Sequence, residues 1–272
     1  MDMFVSPMLL HKVEQPFNDD SYITELKLDG IRVLWTKVND KVRLYTRHNN
    51  DVTSKFPEIH NINLPNGTIL DGEIIVPDNG NKPDFEKMME RFSSNNNQNF
   101  IQYCVFDIIQ FNGERVTSLP LVNRKELLAN VLEPADNIVL TRFIEGYGVE
   151  YFNLIKQQEL EGIVLKRKHS KYQINKRSND WLKVINYQYA EVFISGIRKD
   201  KFGAVLSFED GKYAGIMEFM NSSEKRKLYS LIKKLDETDK YVLIEPISCK
   251  VKYRNLTKAG LLRIPSLKSP IF

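Results

Sequence analysis

Cysteine is scarce in this chain, with only Cys104 and Cys249 among 272 residues. Each lies in apolar, strand-like surroundings, with neither metal-ligand spacing nor a disulfide framework. Both therefore read as buried thiols of a reducing compartment. Histidine is also sparse: His11, His48, His60 and His169 are scattered without ligand spacing and support no catalytic assignment. No apolar run approaches the ~20 residues of a membrane span. Residues 1–15 lack the basic-then-apolar order of a secretory leader. The expectation is a cytoplasmic protein with no membrane partner. Acidic residues are missing after Glu245, whereas Lys250, Lys252, Arg254, Lys258, Arg263 and Lys268 follow it.

The composition is that of a soluble globular protein, 42% hydrophobic and 27% charged. The length suits one large domain or two ordinary ones. The net charge of +4 is unevenly placed: residues 186–272 hold 16 lysines and arginines against 10 acidic residues, the first 185 hold 23 against 25. A basic C-terminal part suggests a polyanion partner, but charge alone leaves an ordinary solvated face equally open.

Period-two alternation predicts strands over 69–76, 103–109, 161–166 and 181–185. It also places Ile23, Glu25 and Lys27 on one strand face and Tyr22, Thr24 and Leu26 on the other. Phe85, Met88, Met89 and Phe92 form a helical stripe, with both methionines expected in the core. Helices are also expected from Pro120 to Leu132 and over 149–160, and an Asn-rich exposed loop over 93–99. A boundary falls near Asn186, giving domains 1–185 and 186–272. Beyond it come strands over 190–196, 203–208 and 213–219, then a helix, then a strand over 241–253. The helix is expected to be capped by Ser222 or Ser223 and buried through Leu228, Leu231, Ile232 and Leu235. Within 247–254, Ile247, Cys249, Val251 and Tyr253 alternate with Ser248, Lys250, Lys252 and Arg254, one face inward and one basic face outward. The fold class is α+β, ending in a small barrel of the oligonucleotide-binding type.

The segment Glu25-Leu26-Lys27-Leu28-Asp29-Gly30-Ile31-Arg32 carries the chemistry. A partly buried lysine loses its proton more readily than a solvated one and can act as a nucleophile. Gly30 permits a tight turn or a close approach to a ligand, and Arg32 offers a planar fork to ribose or phosphate oxygens. Asp29 suits a structural turn as well as a direct role.

Further segments follow in order: Thr46-Arg47 with Asp51, Thr53 and Phe56-Pro57-Glu58-Ile59; Leu70-Asp71-Gly72-Glu73; Val105-Phe106-Asp107; Glu161-Gly162-Ile163-Val164-Leu165-Lys166; and Arg177-Ser178-Asn179-Asp180-Trp181-Leu182-Lys183-Val184. Together, over about residues 6–265, the chain resembles the ATP-dependent DNA ligases of minimal bacterial or phage type, within the covalent nucleotidyltransferases. The resemblance implies an ATP-grasp-like adenylation domain of antiparallel sheets and helices, followed by an OB-fold barrel. It implies that Lys27 takes AMP from ATP, passes it to the 5′-phosphate of a nick in duplex DNA, and that the 3′-hydroxyl then displaces it. Nucleotide contacts are implied for Glu25, Arg32, Arg47, Glu73, Phe106 (stacking on adenine), Arg177 and Lys183. Glu73 and Glu161 are implied for Mg²⁺ or Mn²⁺. Lys250, Lys252, Arg254 and Arg263 are the candidates for DNA contact, and a monomer is expected.

Three departures from the family pattern stand out. Ile185 replaces a second lysine two residues after Lys183, and Asn49 replaces a glycine, a mild change because asparagine tolerates the left-handed region. Leu261 to Leu267 resembles the approach to an Arg-x-Asp-Lys segment that the chain does not contain. The expectation is slow self-adenylation, or replacement of the missing pair by Arg263 or Lys268. Two rivals remain: an RNA ligase or mRNA-capping guanylyltransferase with the same lysine chemistry, and a non-catalytic nick- or end-binding module.

Overall fold

The protein, seen in a computed structural model, is described over residues 4–94 and 98–268. The Asn-rich loop tip expected at 95–97 lies outside the described residues. The chain divides into two compact units, Met1–Ile185 and Asn186–Phe272.

In the first unit the elements are β1 (Leu9–Lys12), β2 (Asp19–Leu26), β3 (Ile31–Val38), β4 (Lys41–Thr46), β5 (Thr68–Ile75), α1 (Phe85–Ser93), β6 (Gln102–Phe111) and β7 (Glu114–Arg115). They continue as α2 (Leu121–Val131), β8 (Ile138–Leu140), β9 (Phe143–Gly146), α3 (Gly148–Gln157), β10 (Gly162–Arg167) and β11 (Arg177–Ile185). Two sheets result. One has the order β1-β11-β10-β2-β9; the other runs β4-β3-β5-β6-β7, with β8 beside β6.

Alternation decides what each sheet face meets. Tyr22, Ile163, Leu165, Leu182 and Val184 of the first sheet pack on Phe152 and Ile155 of α3. Ile23 and Trp181, from its opposite face, join Leu34, Ile69 and Ile109 of the second sheet in a shared cluster. Val33, Trp35, Leu70 and Ile108, on the second sheet's far face, pack with Phe56, Met88 and Leu128. The first unit is thus a layered α+β structure with a polar site along the seam between its sheets.

Helix α1 is capped by Asp84, whose side chain accepts from the Lys87 amide. Met88 is buried, but Met89 is 38% exposed, against the expectation that both fill the core. On α1 the buried face is centred on Met88 and Arg91, and Met89, about 100° around the helix from Met88, falls at its edge. Asn49 takes the left-handed conformation expected of it, with φ of 64°.

The second unit contains β12 (Gln188–Arg198), β13 (Ala204–Ser207), β14 (Tyr213–Met217), α4 (Ser222–Leu231), β15 (Lys234–Glu237), β16 (Tyr241–Tyr253) and β17 (Ser266–Leu267). Its ladders run β14-β13-β12-β16-β15, with β17 beside β16. This is an open path; a closed barrel is not among the strand ladders of the described residues. Val192, Ile194, Leu206, Met217, Leu228, Cys249 and Val251 form its core.

Asn221, rather than either serine, caps α4. Its side chain accepts from the Glu224 amide, while the Glu224 carboxylate accepts from the Asn221 amide. Of the expected buried face, Leu228 is buried and Ile232 packs half-buried against the core, while Leu231, the last residue of α4, is exposed. Leu235 lies on the exposed strand β15, where the helical period no longer applies. Both cysteines are buried, and burial pushes the thiol of Cys104 up to about 12 and that of Cys249 up to about 11.

Candidate active site

Lys27 follows β2 directly, and Glu161 directly precedes β10. These strands pair antiparallel with Leu26 opposite Ile163, and the Lys27 amide donates to the Gly162 carbonyl at 2.9 Å. The register therefore sets the two side chains beside each other: Lys27 Nζ lies 2.7 Å from Glu161 Oε2. Gly162 is required here. Its φ is 149°, and a Cβ would lie 2.1 Å from the Val184 carbonyl oxygen. Gly30 serves a similar purpose, since a Cβ would lie 2.1 Å from the Ile74 carbonyl oxygen. Its close approach is to the protein's own strand β5.

Arg32 lies opposite Glu73 in the β3–β5 ladder. Its Nε and Nη2 donate to both oxygens of the fully buried Asp71, at 2.9 and 2.6 Å. Burial works against the guanidinium charge, but Asp71 outweighs it and holds the pKa of Arg32 above its ordinary range. Burial pushes the Glu73 carboxyl up to about 7; Lys27 and Arg32 pull it down, while Glu161 and Asp71 push it further up.

Phe106 is the extra residue of a bulge. Asp71 pairs with Asp107 and Gly72 with Val105, leaving Phe106 unpaired between them. The Lys166 ammonium lies 4.4 Å and the Arg32 guanidinium 5.4 Å from its ring centroid.

Glu25 is 2% exposed and ion-paired to Lys166 at 2.7 Å and to Lys125. Burial lowers the pKa of Lys166, Glu25 raises it and Lys125 lowers it further. Lys183 faces Val164 in the β10–β11 ladder, and Val164 in turn faces Glu25 in the β10–β2 ladder. The three therefore form one row across the sheet.

The structure brings together Lys27, Glu161, Arg32, Glu73, Phe106, Glu25 and Lys183 on the facing strands of these two sheets. Thr46 pairs with Val33 in the β3–β4 ladder, so Arg47 follows at the position next to Arg32. Arg47 is exposed in the turn after β4 and donates to the His48 ring. Arg177 is exposed at the start of β11, opposite Leu9 of β1, and donates to the Leu10 carbonyl. In the second unit, Lys252 lies over the Tyr187 ring at 5.0 Å and Lys268 over Tyr189 at 5.8 Å. The Arg254 amide donates to the Arg263 carbonyl at 3.0 Å, and Lys250 is exposed on β16.

Several residues escaped the sequence reading. Arg124 is fully buried and doubly bonded to Asp107, at 2.8 and 2.9 Å. Lys125 reaches Glu25 and donates to the Phe106 carbonyl at 3.2 Å. A signal existed: Leu121, Arg124, Lys125 and Leu128 have i, i+3, i+4, i+7 spacing, so two charges occupy positions of the apolar stripe.

The fold is that of the catalytic regions of ATP-dependent ligases. A solved Lig E DNA ligase superposes with a TM-score of 0.70 at 19% identity, covering 99% of this chain and 100% of that one. A mycobacterial DNA ligase D complexed with ATP and MES gives 0.61 at 22% identity, covering 97% and 93%. Residues 7–184 match the family model of the ATP dependent DNA ligase domain. The SPbeta prophage-derived DNA ligase-like protein LigB of Bacillus subtilis (strain 168) is 52% identical over 267 residues, 98% of this chain and 99% of that protein. The chain belongs to the ATP-dependent DNA ligase family.

Proposed function

We propose that this ligase seals 5′-phosphate/3′-hydroxyl nicks in duplex DNA, with Lys27 as its nucleophile. The observation that carries the reading is the Lys27–Glu161 pair at 2.7 Å, set in the seam beside Arg32, Glu73 and Phe106. Lys27 Nζ, once it has given up a proton, attacks the α-phosphorus of ATP. A P–N bond forms and pyrophosphate leaves. The 5′-phosphate of the nick then attacks the same phosphorus, and the lysine regains its proton. Finally the 3′-hydroxyl attacks the 5′-phosphate and AMP departs. Each step is phosphoryl transfer, so positioning and charge neutralisation dominate.

Arg32 and Lys183 supply positive charge to phosphate oxygens, and Phe106 stacks on adenine once the base displaces a cation now over its ring. Glu25 lines the base pocket. Arg47, next to Arg32 in the strand register, and Arg177 at the start of β11 are further nucleotide contacts. Glu73 and Glu161 suit Mg²⁺ or Mn²⁺. Among the described residues no three His, Cys, Asp or Glu side chains are placed to hold a metal ion by themselves, and such ions keep several waters and share ligation with phosphates. Bound there, the ion would neutralise polyphosphate charge. The second unit is read as an OB-fold carrying DNA contacts from Lys250, Lys252, Arg254 and Arg263. Support comes from the parallel bridge Phe219–Ser266, which links the end of β14 to β17 and so approaches barrel closure.

The test is incubation with α-labelled ATP or GTP and Mg²⁺, followed by nicked DNA or RNA. The expected result is an AMP adduct, absent in Lys27→Ala and discharged by nicked DNA with sealing. A GMP adduct, or discharge by RNA alone, would replace this reading with a capping enzyme or an RNA ligase. Neither adduct nor sealing would leave a binding module.

A further inference from the structure

Tyr172 lies in no segment marked by the sequence, yet it is buried beside the guanidinium that the proposed reaction uses. It sits between β10 and β11 and is 3% exposed. Its hydroxyl has two partners: the Met8 amide at 3.1 Å and Asp71 Oδ2 at 2.7 Å. The amide can only donate, so the single hydroxyl proton must go to the carboxylate. Asp71 therefore receives three donors, two from Arg32 and one from Tyr172. The carboxylate plane sets the plane of the arginine fork, and a third donor on Oδ2 removes its freedom to turn. The ring is fixed independently. It stands edge-on to Trp181, with centroids 5.5 Å apart at 90°, and the Arg124 guanidinium lies 5.7 Å from its centroid.

We propose that Tyr172 is a positioning residue for Arg32, acting through Asp71 to hold the fork in the orientation that meets the substrate. With Nε and Nη2 committed to Asp71, the guanidinium has one fixed edge, and its remaining donors face a ligand from a defined direction. The inference rests on the reading of Arg32 as a substrate-facing cation.

The experiment measures Lys27 adenylation and nick sealing separately in the full-length protein, for Tyr172→Phe, Arg32→Ala and the double variant. Tyr172→Phe keeps the ring and removes one hydrogen bond to a charged group. It should slow whichever step Arg32→Ala slows, by about tenfold, and add nothing in the Arg32→Ala background. Equal losses in both backgrounds would mean that Tyr172 acts through stability alone and would overturn the proposal. So would wild-type rates in Tyr172→Phe alongside an impaired Arg32→Ala, which leaves the Arg32 reading intact. Wild-type rates in Arg32→Ala would overturn that reading and the proposal with it. Unfolding midpoints of all variants are measured alongside, and rates are compared at a temperature where each is folded, which separates lost stability from lost positioning of Arg32.

Discussion

Lys27 Nζ and Glu161 Oε2 lie 2.7 Å apart, with side chains 17% and 3% exposed. The lysine is held by a carboxylate that is almost wholly out of water, so its position is set before any nucleotide arrives. Removing Glu161 leaves the lysine without its neighbour and the attacking nitrogen less well placed. Glu161→Ala should lower the rate of adduct formation on the order of 10²-fold, read by single-turnover labelling. A variant labelling at the wild-type rate would show that the pair has no part in the first step.

The raised carboxyl of Glu73 predicts a pH dependence of stability. Its pKa is about 7 in the folded protein, against an ordinary value of 4.5. Between these values the folded state binds the proton and the unfolded state does not. This contribution is complete below about pH 4.5 and is lost as pH rises through about 7. Urea unfolding without nucleotide or metal should show the wild type losing more stability between pH 5 and pH 8 than Glu73→Gln. Parallel curves for the two proteins would refute the assignment.

Gly30 and Gly162 are predicted to be sites where alanine is not tolerated, because a Cβ at either would lie 2.1 Å from a backbone oxygen. Each substitution must push two strands apart and should cost about 1–3 kcal/mol. Gly211, where a Cβ meets nothing within 4 Å but φ is 80°, is the control for conformational strain alone. Denaturant midpoints for the three alanine variants make the comparison.

Arg124 and Asp107 form an ion pair in which neither side chain is exposed. Breaking it from one side strands a buried charge, so Arg124→Ala should destabilise the protein by about 3–5 kcal/mol. A loss below about 1 kcal/mol in equilibrium unfolding would contradict the buried pairing.

The basic face of β16 predicts salt-sensitive DNA binding. Association constants should fall linearly with salt on logarithmic axes, and Lys250→Ala, if Lys250 meets a phosphate, should reduce the slope by about 1. A titration of labelled nicked duplex from low to physiological salt measures both. An unchanged slope would remove Lys250 from the contact set.

Several features were legible in the residues alone, because they depend on local rules. Strong period-two alternation located β5, β6, β10 and β16 to within about two residues. Composition placed both cysteines in cores, and the ordered segments pointed to a ligase. Local rules were weaker where a nearer competitor existed: Asn221 took the α4 cap from Ser222, and Met89 left the core to Met88. What the tertiary structure alone decided is which charges meet. Arg32 and Asp71 are 39 residues apart in the chain, and Tyr172 and Asp71 are 101. Glu25 is a nucleotide candidate by its motif, yet in space it is held by Lys125 and Lys166, which no motif assigns to it. Ion pairs and hydrogen bonds act over a few ångströms. Strand register and the face-to-face packing of two sheets set those distances, and chain order does not encode them.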